Sequence, residues 1–116
     1  MITPILRIFD LEKAEDFYID YLGFSYDWKH QFEDDLPLYC QISRNGIVLH
    51  LSEHHGDCSP GAALRIQMDN LTEFHHSLPK KYRNARPGIE KAPWGTNEVT
   101  VTDPFFNRLV FYEVAT

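Results

Sequence analysis

The strongest constraint on this chain is an internal repeat. The stretch ILRIFDL near the start returns in the second half as ALRIQMDNL, and each copy runs through an acidic residue into a helical pattern. Each half reads strand, helix, three strands, and self-similarity of this kind sets the architecture before any single element does. A chain of 116 residues suits one domain. The two copies, about 1–53 and 61–116, are therefore expected to form a single domain over 1–116. The fold class is α+β. A βαβββ unit covers one face of a small sheet with its helix and leaves the other face open. Two such units side by side predict a curved mixed sheet with a trough and the helices outside. The trough then has to be filled by strands, a partner chain or a ligand.

Local patterns support each element. TPILRIF is rich in β-branched and aromatic residues, and Pro4 within it lacks a backbone donor, which predicts an edge or seam strand. Asp10 caps a helical stripe of Leu11, Ala14, Phe17, Tyr18, Tyr21 and Leu22, and Gly23 ends it in a left-handed conformation. FSYDWKHQF alternates at period two, with Phe24, Tyr26, Trp28, His30 and Phe32 on one face. Asn45-Gly46 is a strong hairpin signal between LYCQIS and IVLHLS. A two-residue turn there pairs Arg44 with Ile47, Gln41 with His50 and Tyr39 with Ser52. Leu38, Cys40, Ile42, Leu49 and Leu51 then make the core face, and His50 falls on the open one. In the second half, AALRIQM is a strand, Asp69 or Asn70 can cap, and LTEFHHSLPKKY looks helical. ARPGIEKAPWGT is a weak strand or loop, and NEVTVTD and RLVFYEV close as two strands.

Charge and composition exclude several classes. With 11 basic and 17 acidic residues the net charge is −6, which argues against nucleic-acid binding and mildly favours a cationic small molecule. Apolar residues at 43% argue against disorder. No apolar run is long enough to cross a membrane, and MITPILRIFD does not resemble a signal peptide, so a cytoplasmic protein is expected. Cys40 and Cys58 form no CxxC and are expected as free thiols. The segment HLSEHHGDC gathers His50, Glu53, His54, His55, Asp57 and Cys58, but without the paired spacing of zinc sites it reads as a solvated loop.

The strand and helix of LRIFDLEKAEDFYIDYLGF, together with NGIVLHLSE and VTDPFFNRLVFYE, resemble the vicinal oxygen chelate superfamily over nearly the whole chain. That superfamily includes glyoxalase I, extradiol dioxygenases, fosfomycin-resistance enzymes and bleomycin-resistance proteins. LHLSEHHGD and PWGTNEVTVTDP look most like its bleomycin-resistance and glyoxalase-like branch. Metal enzymes of the superfamily draw ligands from the first and last strand of each unit. The matching positions here are Thr3, His50, Ala63 and Val110, so the resemblance implies a member with no metal and no cofactor. It also implies a homodimer with clefts built from both chains. Turns matching DPFFN usually carry a small residue where this chain has Phe106, which implies a different turn or an exposed ring that reaches a ligand or partner.

The candidate ligand-binding residues follow from the open face. His50 is either hydrogen-bonded to Gln41 or a polar group on the trough floor. Tyr39, Gln41 and Ser52 accompany it by register. Trp28 and Trp94 offer flat surfaces, with core packing or a lid as the alternative. Glu98 and Thr100 alternate against Val99 and Val101, Arg108 shares a face with Tyr112, and Phe106 projects from its turn. Arg7 and Arg65 look equivalent in the two repeats and are expected in structural ion pairs at the seam. No catalytic residue is expected, because His50 lacks a carboxylate partner at a telling spacing. The expectation is a metal-free binding protein that sequesters a cationic glycopeptide of the bleomycin class or a planar aromatic metabolite. The alternatives are a metal-dependent lyase or isomerase of the glyoxalase type, and a regulatory domain whose trough is filled by its own side chains.

Overall fold

Pro4 cannot donate to a ladder, and the strand that follows it, β1 (Ile5–Arg7), lies at a sheet edge. A computed structural model of the protein describes residues 1–31, 33–34, 36–79 and 87–115. The second helix is shorter than LTEFHHSLPKKY suggests: it ends at Ser77, and Leu78 is extended, as the residue before Pro79 prefers. The face of Phe32, residues 80–82 and the start of the irregular stretch at Ala85 lie outside the described residues. The chain divides into two units, one of residues 1–62 with 103–107, the other of residues 63–102 with 108–116.

In the first unit, β1 leads to helix α1 (Leu11–Ala14), which runs on as a π-helix over Glu15–Tyr21. Asp10 caps it by accepting from the Lys13 amide at 3.1 Å. Leu22 bonds back to the Phe17 carbonyl at 2.9 Å, and Gly23 ends the helix at φ +82°. Then come β2 (Ser25–His30), β3 (Tyr39–Arg44) and β4 (Ile47–Ser52), in sheet order β1-β4-β3-β2. Asn45 and Gly46 both take positive φ, as a two-residue hairpin turn requires. The register is the one that turn predicts: Arg44 opposite Ile47, Gln41 opposite His50, Tyr39 opposite Ser52. Leu6, Ile8, Phe17, Tyr18, Cys40, Ile42, Leu49 and Leu51 form the core. Burial pushes the Cys40 thiol up to about 11.

The second unit repeats the plan with β5 (Ala63–Gln67), α2 (Leu71–Ser77), β6 (Glu90–Lys91), β7 (Thr96–Thr102) and β8 (Arg108–Val114), in order β5-β8-β7-β6. Its core holds Leu71, Phe74, Val99, Val101, Leu109 and Phe111, with the Phe74 and Phe111 rings 4.5 Å apart. Asn70 occupies the N-cap position at φ +60° but its side chain makes no cap bond.

The ladders correct the alignment of the two copies. Ile5 lies across from His50, and Arg65 across from Val110. Ile8 donates to Ser52, Met68 donates to Tyr112, and Asp10 and Asn70 both stand at N-caps. Arg65 is therefore the equivalent of Ile5, and Arg7 of Gln67. The shared Leu-Arg-Ile letters are offset by two residues, which preserves the face and so hides the slip.

The DPFFN turn is held by buried polar groups. Asp103 is 4% exposed and Asn107 is fully buried. Asp103 Oδ1 accepts from the amides of Phe105 and Asn107, both at 2.8 Å, while Oδ2 accepts from Tyr18 Oη at 2.7 Å and Asn107 Nδ2 at 2.8 Å. Asn107 Nδ2 also donates to the Arg7 carbonyl at 2.9 Å. These residues explain the motif as a structural device. Among the described residues, no helix is long and apolar enough to cross a membrane.

Candidate functional site

Strand β2 does not alternate as its sequence suggests. Tyr26 pairs with Ile42, but Trp28 pairs with Gln41, so Asp27 is an extra residue in a β-bulge. The bulge reverses the phase of the strand. Tyr26 stays toward the side of Ile42, and Trp28 turns to the open face with Gln41, Tyr39 and His50. There the Trp28 ring stacks on Tyr39, with centroids 5.9 Å apart and planes 11° from parallel. Both rings meet His50 edge-on, at 5.3 and 5.2 Å. Trp28 remains 43% exposed.

Hydrogen bonds select the tautomer of His50. The Asp27 carboxylate accepts from Gln41 Nε2 at 3.0 Å and from Ser43 Oγ at 2.9 Å. With its amide nitrogen turned to Asp27, Gln41 presents Oε1 to His50 Nε2 at 2.9 Å. An amide oxygen only accepts, so Nε2 of His50 carries the proton. Nδ1 is then the acceptor for the Tyr39 hydroxyl at 2.7 Å. Both ring nitrogens of His50 are committed, and its free lone pair is occupied. Burial, with lesser help from Asp57, raises the Tyr39 hydroxyl above its ordinary pKa, which keeps it a donor.

In the second unit the open face carries Arg65, Arg108, Val110, Tyr112, Thr100 and Glu98. The Arg65 guanidinium lies 4.4 Å above the Tyr112 ring and 3.0 Å from Glu98 Oε2. The same oxygen accepts from Thr96 Oγ1 at 2.6 Å and Trp94 Nε1 at 3.0 Å. The bond from Arg65, then that from Thr96, holds the Glu98 carboxyl down to about 2. Trp94 is pinned by its N–H edge while the residue stays 67% exposed, so it does not pack on the core.

The structure thus gathers Trp28, Tyr39, Gln41 and His50 in one unit, and Trp94, Glu98 and Tyr112 in the other. Thr100 and Arg108 are exposed on the second open face. Ser52 does not join its predicted neighbours: it is fully buried, and its hydroxyl donates to Asp57 at 2.6 Å and accepts from the His54 amide at 3.0 Å. Phe106 keeps the turn at φ +70° and is 80% exposed. Arg65 is ion-paired to Glu98 within its own unit rather than at a seam, and Arg7, with no ion pair among the described residues, rests on Phe9, 4.6 Å from its ring centre. Asp27, Arg65 and Thr96 were missing from the candidates. In the letters Asp27 falls on the polar side of an alternating strand, where nothing marks a bulge, and Thr96 lies within the irregular stretch ARPGIEKAPWGT.

The superfamily's metal positions do not fit a cation here. The side chains of Ala63 and Val110 carry no ligating atom, and both His50 nitrogens are hydrogen-bonded, whereas a divalent site needs three or four convergent donors. Among the described residues no group of three or more His, Cys, Asp or Glu side chains is placed to hold a metal ion.

Comparison with known proteins places the fold. A bleomycin-binding protein complexed with bleomycin is similar at a TM-score of 0.71 and 20% identity, over 97% of each chain. An antibiotic-binding protein from Streptomyces sp. CB03234 is similar at 0.76 and 22%, over 97% of this chain and 93% of that one. A bleomycin resistance determinant encoded on the transposon Tn5 is similar at 0.73 and 19%, over 100% and 98%. No curated protein matches. The family model described as glyoxalase superfamily protein matches residues 1–116, and the chain therefore belongs to the glyoxalase superfamily.

Proposed function

We propose that this protein binds and sequesters a small molecule, without a metal and without making or breaking a bond. The ligand is a cationic glycopeptide of the bleomycin class or a planar aromatic metabolite, and the working form is a cytoplasmic homodimer. The observation that carries this reading is the aromatic cluster of Trp28, Tyr39 and His50, raised on a sheet face that the helix does not cover. Its hydrogen bonds are already satisfied, so it is preorganised to grip rather than poised to exchange protons. A half-exposed indole offers a flat apolar surface to a ring, and a net charge of −6 attracts a cation. The likeness of the fold to bleomycin-binding and other antibiotic-binding proteins supports the same reading.

Useful sequestration requires roughly sub-micromolar affinity, on the order of −8 kcal/mol. The test combines metal analysis with a titration of bleomycin followed by tryptophan fluorescence, on one preparation. The expected result is no stoichiometric metal and a saturable change in emission. Stoichiometric nickel, zinc, iron or manganese would replace this reading with a glyoxalase-type lyase. A flat titration at saturating drug would remove bleomycin as the ligand.

A further inference from the structure

The Arg7 guanidinium is nearly buried and forms no ion pair among the described residues. Arg7 pairs with Ser52 in the parallel ladder and so lies on the open face of the first unit. It is 9% exposed, and its Nη1 is sealed from solvent with no hydrogen-bond partner. Nearly buried arginines are almost always paired, because an unsatisfied buried charge is costly. Asp57 is turned to the Ser52 hydroxyl and Glu53 to the Leu38 amide at 3.0 Å, and neither forms an ion pair with Arg7. Stacking on Phe9 recovers only part of the cost.

Two clefts open on Arg7, each of about 470 Å³, a size that suits a small molecule. One includes Asp34 and Glu53 in its lining, which repel an anion. The other is lined, among the described residues, by Arg7, Phe9, His55, Gly56, Cys58, Ser59 and Pro60, while the Asp57 carboxylate beside it is turned to the Ser52 hydroxyl. Ser59 supplies a hydroxyl there, His55 an imidazole, and Phe9, 57% exposed, an apolar wall. The Arg7 charge is felt at the Cys58 thiol, where it opposes the upward push of burial and Asp57.

We propose that this second cleft binds a carboxylate-bearing small molecule, with the carboxylate on the Arg7 guanidinium and a flat apolar body against Phe9. A planar guanidinium matches a carboxylate in paired hydrogen bonds. The site goes beyond the sequestration reading and does not depend on it, since it uses none of Trp28, Tyr39 or His50.

The test follows the arginine Nε–H signals of the full chain by 1H–15N NMR. Sodium benzoate, sodium phosphate and sodium chloride are titrated at constant ionic strength. Benzoate is expected to shift the Arg7 signal saturably, at least tenfold more tightly than phosphate. Arg7→Lys should weaken benzoate at least tenfold. Ser59→Asp, an exposed change that spares the core, should do the same if Arg7→Lys does not fold. A shift that is equal for all three salts, or benzoate binding unaltered in Ser59→Asp, would overturn the proposal. A signal that ignores benzoate and moves only with protein concentration would overturn it too, and would assign Arg7 to a carboxylate of a second copy.

Discussion

The rings of Trp28 and Tyr39 lie 11° from parallel because Asp27 is one residue more than β3 can match. Without that bulge Trp28 would stay on the side of Tyr26. The bulge residue also anchors Gln41 and Ser43, so one side chain sets both the position of the indole and the tautomer of His50. Trp28→Ala is expected to weaken ligand binding by about ten- to a hundredfold, the loss typical of an aromatic anchor. The measurement is a direct titration by calorimetry, and an unchanged affinity would remove Trp28 from the site.

Tyr39→Phe should free the Nδ1 lone pair of His50. Histidine 15N spectra at neutral pH are expected to show the Nε2–H tautomer alone in the native protein. In the variant a mixture should appear, with a stability loss of roughly 0.5–1.5 kcal/mol for the lost hydrogen bond. A mixed tautomer in the unaltered protein would contradict the chain of bonds from Asp27 to Tyr39.

Asp103 accepts four hydrogen bonds while almost fully buried. Asp103→Ala strips partners from Tyr18, Asn107 and two amides together. Urea unfolding should show a loss of about 3–5 kcal/mol. Tyr18→Phe removes only one of these bonds and should cost about 1–2 kcal/mol. Equal losses in the two variants would mean that Asp103 serves Tyr18 alone.

Glu98 carries the pH dependence of the second open face. Its carboxyl falls from the usual 4.5 to about 2, first through Arg65 and then through Thr96. A depressed folded pKa means that the unfolded chain binds the proton first. The contribution is therefore fully present above about pH 4.5 and is lost as pH falls toward 2. The difference in Tm between the native protein and Glu98→Gln should shrink over that interval and stay constant above it. A difference that grows on acidification would reverse the sign and refute the assignment.

Phe106 holds a left-handed φ of +70° with its ring 80% exposed. A side chain in that region costs roughly 1–2 kcal/mol, and glycine avoids it. Phe106→Gly should raise stability by about 1 kcal/mol, a Tm gain of roughly 4 °C. If the same variant also loses ligand affinity, the strain is retained for binding. If it gains stability with affinity intact, the ring has no part in the site.

Much of this was legible in the letters. Asn45-Gly46 admits one tight turn, and that turn determined which residues face His50 without reference to the rest of the chain. The apolar alternation of β3 and β4, the cap at Asp10 and the stop at Gly23 are short-range patterns, set by backbone sterics and by burial on one face. The repeat likewise determined the order of elements in each unit. Tertiary structure decided what short-range patterns do not encode. A bulge leaves no mark in an alternating sequence, so the side taken by Trp28 emerged only when β2 paired with β3. The two-residue slip between the copies keeps every side chain on its face, so only the ladders and the two N-caps exposed it. Ser52 is buried against a loop carboxylate five residues on, and Arg7 has no ion pair among the described residues. Partners of that kind are chosen by packing in three dimensions, where a polar group takes whatever donor or acceptor the fold brings within reach.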